Sequence, residues 1–185
     1  MRRGPAGRPR RLSGRAGLAQ HVRGDRARPR APARARRRLD RSAPLVTANQ
    51  GEEGIHSLCE LLLARGVAVE AGLLCVADAH AFVASGLAPR CARAMVEPLD
   101  ADPDDAVAHA AAIEAVLAGA GIGLEQVHHG DGIACWAVNR RAAERGHGIR
   151  TGLEDTPVLP DGRIAAGNGE LAAAAAALLR EVGGP

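Results

Sequence analysis

The sequence contains no lysine, because all 24 of its basic residues are arginine. This excludes a Schiff-base lysine, a pyridoxal-phosphate site and the lysine of a phosphate-binding P-loop. With one Phe, one Trp and no Tyr, the chain also lacks an aromatic surface on which single-stranded nucleic acid could stack. Chemistry beside a carbonyl group would therefore have to use a metal ion or a set of carboxylate and histidine side chains.

Cysteine pairs and long apolar runs are missing as well. The four cysteines are scattered, and no two have the CxxC spacing of a zinc ribbon or a redox dithiol. Reduced, buried thiols of a cytoplasmic protein are the simplest interpretation. No apolar run reaches the roughly 20 residues of a transmembrane helix, and the amino terminus has no apolar signal segment. We therefore expect a cytoplasmic protein without a membrane partner.

Charge divides the chain into two regions. Residues 1–43 have fifteen arginines and two aspartates, whereas residues 44–185 have nine arginines and 19 acidic residues. The first region is rich in Arg, Pro, Ala and Gly without a hydrophobic period, which predicts a disordered basic arm. It could be a tail for nucleic acid or another anionic surface, a targeting peptide, or DNA translated in a wrong frame. We favour the last interpretation, in which the arm is not native family sequence.

From Pro44 onward, short β-type runs alternate with helical stretches. The predicted strands are 44–49, 67–72, 93–98, 123–129 and 148–153. The predicted helices are 52–65, 76–86, 103–119, 131–145 and 168–182. This alternation implies parallel strands, and no GxGxxG turn supports a doubly wound nucleotide-binding sheet. The pattern favours an α/β fold with about the last five units of a (β/α)₈ TIM barrel, which needs about 250 residues when complete.

A polar residue lies near the carboxyl end of each predicted strand, where barrel enzymes place their active sites. These residues are Asn49, Glu70, Glu97, His128 and Glu154. Alternation along the strands predicts that Glu70 and Arg150 face the barrel interior, and that His128 and His129 point to opposite sides. Each residue alone could be a solvated loop residue. Five in register are costly to bury unless they bind a metal ion or a charged substrate.

The segment GHGIRTGLEDTPVLPDGRIAAGNGEL at 146–171 resembles the closing strand and loop of the β-keto acid cleavage enzymes, also called 3-keto-5-aminohexanoate cleavage proteins. Their pattern is R-x-G-[LF]-E-D, a loop, a Gly and an Asn. It is met here by Arg150, Gly152, Leu153, Glu154, Asp155, Gly162 and Asn168. The segments VAVEAG at 67–72 and HHGDG at 128–132 also fit. The resemblance begins near Pro44 and extends to the end of the chain.

The resemblance implies a fold, a reaction and a site. Family members are (β/α)₈ barrels with a divalent metal, usually zinc, that polarises the keto group of the substrate. They exchange a β-keto acid and acetyl-CoA for acetoacetate and a new acyl-CoA. The resemblance implies Glu154 as a metal ligand and Arg150 with Asp155 as the catalytic pair. It places Thr47, Asn49 and Glu70 in the substrate pocket, to which the strand positions add Glu97 and His128.

The chain departs from the family pattern because it contains no H-x-H, the motif that supplies the two zinc-binding histidines of the family. Five parallel strands also cannot close a barrel, so we expect exposed sheet edges and a homo-oligomer. Three functions stay open. They are metal-dependent β-keto acid cleavage, impaired without H-x-H; a non-catalytic barrel fragment or partner subunit; and nucleic-acid binding through residues 1–43.

Overall fold

The computed structural model describes residues 44–183. The strands are β1 (Leu45–Asn49), β2 (Ala68–Leu73), β3 (Arg93–Val96), β4 (Gln126–His128) and β5 (Gly148–Ile149). The helices are α1 (Ile55–Ala64), α2 (Val76–Ser85), α3 (Pro103–Gly119), α4 (Cys135–Glu144) and α5 (Asn168–Gly183). The disordered arm predicted for residues 1–43 lies outside the described residues.

All five strands are parallel and lie in one sheet in the order β1-β2-β3-β4-β5. Strands and helices alternate along the described chain, which confirms the predicted α/β class. A doubly wound sheet would reverse its strand order at a switch point, and the described strands have no such reversal. The consecutive order is therefore compatible with part of a barrel.

One face of the sheet packs against the helices and the other carries polar side chains. Val69, Ala71 and Leu73 of β2 are fully buried in the main core, while Glu70 and Gly72 alternate with them and face the opposite side. Phe82 of α2 and Ile113 of α3 belong to the same core. This confirms the predicted alternation in β2, with Glu70 on the face that would form a barrel interior.

Local signals explain where several helices begin and end. The side chain of Asp102 accepts hydrogen bonds from the backbone N–H groups of Asp104 and Asp105, and Pro103 opens α3. Gly86 ends α2 with φ of 69°, a left-handed conformation that suits glycine. The cap at Asp102 and the proline after it made the start of α3 predictable from the sequence.

The strand predicted at 148–153 is too long. β5 ends at Ile149, and the chain then turns, with the backbone N–H groups of Asp155 and Thr156 both donating to the carbonyl of Gly152 at 2.9 Å. The following loop is held by a hydrogen bond of 2.7 Å from the indole N–H of Trp136 to the carbonyl of Val158.

Within residues 44–183, no helix combines the length and apolar character that crossing a bilayer would require.

Candidate active site

Three ionisable side chains meet where β3, β4 and β5 end. The ring of His129 is 1% exposed. Its Nδ1 lies 3.1 Å from Oδ1 of Asp155, and its Nε2 lies 3.5 Å from Oε2 of Glu97. The positive charge of Arg150 is near enough to stabilise the charged form of both carboxylates. We call Glu97, His129, Arg150 and Asp155 the mouth cluster.

Strand register explains why these residues share one face. Met95 of β3 is paired with Val127 of β4, and Val127 is paired with Gly148 of β5. Moving two residues along each strand leads to Glu97, His129 and Arg150, which therefore point the same way. The turn after β5 then adds Asp155.

The backbone fixes the cluster from two sides. The N–H of His129 donates to the carbonyl of Val96 at 3.1 Å, and the N–H of Gly132 donates to the carbonyl of Asp155 at 2.8 Å. A Cβ at Gly130 would lie 2.9 Å from Cγ2 of Val138 and 3.0 Å from the carbonyl oxygen of Ala134. Only glycine fits this close approach to α4, which gives the HHG sequence a structural reason.

The two carboxylates beside His129 differ in their electrostatics. Burial raises the pKa of Asp155, although His129 and Arg150 act against that effect. The contact with His129 lowers the pKa of Glu97 despite partial burial. Carboxylates whose pKa values are displaced in opposite directions can divide acid and base roles between them.

Arg150 extends over the polar face of the sheet. Its Nη1 lies 3.4 Å from Sδ of Met95, and its Nη2 lies 3.4 Å from Oε2 of Glu154. The carbonyl of Arg150 accepts a hydrogen bond of 3.0 Å from Nδ2 of Asn139, which fixes the backbone. Because the Glu154 side chain is 84% exposed, this ion pair is weak. The guanidinium can therefore bind a substrate carboxylate through two parallel hydrogen bonds.

A second polar group lies on the same face of β1, β2 and β3. Glu70 is 2% exposed. Its carboxylate accepts a hydrogen bond of 2.8 Å from the hydroxyl of Thr47 and is paired with Arg93. Asn49 donates instead to Glu52 at 3.0 Å. Since Arg93 already neutralises Glu70, the predicted substrate-binding roles of these residues stay predictions.

The structure places His128 away from the mouth cluster, although the sequence analysis counts it among the substrate-binding residues. His128 is paired with Val96 of the core face, is fully buried, and contacts Gln126 through Nε2 at 3.0 Å. Its ring stacks on that of His147 at a centroid distance of 4.7 Å. The two histidines point to opposite sides, as predicted. Because Val127 is paired with Met95, His129 lies on the polar face of the sheet and His128 on the helix face.

On the helix face of the sheet, His128 adjoins a partly buried ionic cluster. Glu114 of α3 contacts Arg141 and Arg145 at 2.6 Å and His147 at 3.2 Å. We call Glu114, Arg141, Arg145 and His147 the Glu114 cluster. Burial opposes ionisation of Glu114, but hydrogen bonds from Arg145, Arg141 and His147 lower its pKa to about 2. Burial, followed by the neighbouring His147, lowers the pKa of His128 to about 3.

The described residues do not fit the implied zinc site. A catalytic zinc ion normally has three protein ligands. Within residues 44–183, no group of three or more His, Cys, Asp or Glu side chains could hold a metal ion. Glu154 offers one exposed carboxylate beside Arg150, and its role as a metal ligand stays a prediction.

Residues 99–185 match a protein family whose description is beta-keto acid cleavage enzyme. The chain has no match among the curated proteins. The matched range contains three members of the mouth cluster, His129, Arg150 and Asp155, and begins two residues after the fourth, Glu97. The family match therefore covers most of the mouth cluster.

Proposed function

We propose, from the match of residues 99–185 to the beta-keto acid cleavage enzyme family, that the chain acts on a β-keto acid with acetyl-CoA as the second substrate. The exchange moves the –CH₂COO⁻ unit of the keto acid from its own acyl group to the acetyl group. The products are acetoacetate and a new acyl-CoA, so atoms balance without an oxidant or a reductant. The family match is the observation that carries this proposal.

The mouth cluster supplies groups of the kind that this exchange needs. Arg150 binds the carboxylate of the keto acid through its guanidinium, a bidentate match of charge and shape. Asp155 removes and returns a proton at the carbon between the carboxylate and the keto group. The family uses a metal ion in general, but the described residues do not fit one, and we assign no step to it.

A labelling assay with the full chain tests the proposal. The chain is incubated with zinc, ¹³C-acetyl-CoA and a series of β-keto acids, and the acetoacetate and acyl-CoA products are measured by mass spectrometry. We expect label in acetoacetate and a new acyl-CoA that matches the keto acid. Absence of labelled acetoacetate with every keto acid would contradict the proposal.

Arg150→Lys is expected to lower kcat/KM about tenfold or more, because lysine keeps the charge but loses the bidentate geometry. Arg140→Lys is the matched control, since Arg140 is an exposed arginine paired with Glu181 on the helix layer. The control should keep the native kcat/KM. Equal effects of the two substitutions would show that Arg150 does not bind the keto acid.

A second candidate is a subunit whose sheet is completed by another copy of the chain. Among the described strands, β1 and β5 each have a neighbour on one side only. In β1, Leu45 is 39% exposed and Val46 is 37% exposed. An open edge with apolar side chains is a template for strand pairing. The nucleic-acid alternative depends on residues 1–43, which lie outside the described residues.

We predict that the chain self-associates through β1 in sedimentation velocity. Val46→Lys places a charge on this edge and should shift the distribution toward monomer by at least tenfold in the association constant, equal to about 1.4 kcal/mol. Ile164→Lys is the control, because Ile164 is an exposed apolar residue of the loop before α5. A native chain that stays monomeric at high concentration would contradict the prediction.

A further inference from the structure

We infer that His129 is a positioning residue that holds the carboxylate of Asp155 in the mouth cluster. The inference rests on the proposed function for the meaning of Asp155, the group to which the resemblance assigns proton transfer. His129 itself would act through Asp155 and need not touch the substrate.

The ring of His129 lies between two acidic side chains, one that follows β3 and one in the turn after β5. Nδ1 faces Asp155 at 3.1 Å, whereas Nε2 faces Glu97 at 3.5 Å. The His129 side chain is 2% exposed and that of Asp155 is 6% exposed. A buried carboxylate beside a buried imidazole has few alternative positions, because leaving the ring would cost it a polar neighbour.

The backbone links the two residues a second time. Gly132 lies three residues after His129, and its N–H donates to the carbonyl of Asp155 at 2.8 Å. The N–H of Asp155 donates to Gly152 at 2.9 Å, which closes the turn after β5. The loop from β4 thus holds the main chain of Asp155 while the His129 ring meets its side chain. Such a double support is what precise orientation of a reacting group requires.

Among the described residues, neither ring nitrogen of His129 has a hydrogen bond of good geometry. Each ring nitrogen is within 3.5 Å of a carboxylate oxygen, yet neither contact meets hydrogen-bond geometry. Contacts of this kind commonly tighten when a substrate is bound. The contact of Nδ1 with Oδ1 of Asp155 is the shorter of the two, at 3.1 Å, and it is the one through which the ring holds Asp155.

Two amide side chains can separate positioning from simple space filling. The amide nitrogen of asparagine lies near the place of Nδ1 in histidine, and that of glutamine lies near the place of Nε2. His129→Asn should therefore keep a donor toward Asp155, whereas His129→Gln should direct its donor toward Glu97. A residue that only fills space would tolerate glutamine, the closer match in length, at least as well as asparagine.

The first arm of the experiment does not depend on turnover. In the full chain with ¹⁵N-labelled histidine, the ring signals of His129 are identified by their loss in His129→Asn. Asp155→Asn should shift the Nδ1 resonance more than the Nε2 resonance, and Glu97→Gln should do the reverse. Glu125→Gln is the control, because Glu125 is an exposed residue just before β4, and it should move neither resonance.

The second arm uses the labelling assay. His129→Gln should lower kcat about tenfold relative to His129→Asn, with a smaller change in KM. An Nδ1 resonance that Asp155→Asn leaves unmoved would overturn the inference. So would equal kcat values for the two variants in an active chain. If the native chain shows no turnover, the proposed function fails, while the first arm still decides whether His129 holds Asp155.

Discussion

Glu114→Gln is expected to lower the free energy of unfolding by about 3 kcal/mol. Glu114 is 7% exposed and compensates Arg141, Arg145 and His147 on one carboxylate. Glutamine has nearly the same shape but carries no charge, and its amide group adds a donor among donors. Arg141, whose side chain is only 15% exposed, would then be left with a poorly compensated charge. Breaking a buried pair from one side is the costly way to remove it.

Urea denaturation at neutral pH measures this effect as a lower transition midpoint with an unchanged slope. Glu181→Gln is the matched control, because Glu181 pairs with Arg140 at 2.9 Å in an exposed position. An exposed pair of this kind contributes about 0–1 kcal/mol. If the two substitutions cost the same, the Glu114 cluster would not stabilise the fold.

The acid range offers an independent check of the same residue. The pKa of Glu114 is lowered from 4.5 to about 2 in the folded chain. A carboxylate with a lowered folded pKa contributes stability that is present above its unfolded value and is lost as the pH falls toward the folded value. The native chain should therefore lose this contribution between pH 4.5 and about 2. Glu114→Gln should show a flatter dependence there.

The sequence predicted most of the helices and strands because their local signals are strong. The bounds predicted for α3, 103–119, are those observed, since Asp102 caps the helix, Pro103 starts it and Gly121 follows its end. The strand predicted at 148–153 ends early at Ile149. Residues 150–153 alternate in the way that a strand does, but the chain turns there. The turn is fixed by backbone hydrogen bonds to the carbonyl of Gly152, which the alternation does not reveal.

The candidate site was predictable in its position but not in its detail. Glu97, Arg150 and Asp155 lie together at the end of the sheet that the alternation of strands and helices indicated. His129 was missed because a strand of three residues leaves the phase of alternation undetermined, and the pairing of Val127 with Met95 sets it. The pairing of Glu70 with Arg93 also depends on the register between β2 and β3, which cannot be predicted from the sequence.

His128→Gln is expected to remove a large part of the loss of stability on mild acidification. Burial keeps His128 neutral in the folded chain, with its pKa lowered from 6.5 to about 3. In the unfolded chain His128 binds a proton below pH 6.5, whereas in the folded chain it stays neutral until about pH 3. The free energy of unfolding therefore decreases as the pH falls from 6.5 toward 3. Each pH unit in this window costs about 1.4 kcal/mol, or about 2 kcal/mol between about pH 7.5 and about pH 5.

Glutamine suits this test because its amide nitrogen can take the place of Nε2, which contacts Oε1 of Gln126 at 3.0 Å, while the side chain cannot be protonated. Urea midpoints of the native chain and the variant are compared at about pH 7.5 and about pH 5, and the pH dependence of the variant should be smaller by about 2 kcal/mol. The variant also loses the stacking on His147, so the comparison rests on the pH dependence of the midpoint and not on its value at one pH. His56→Gln is the matched control, because it replaces an exposed histidine of α1 by the same residue. An unchanged pH dependence in His128→Gln would mean that the folded chain accommodates the protonated ring, and that the Glu114 cluster neutralises it.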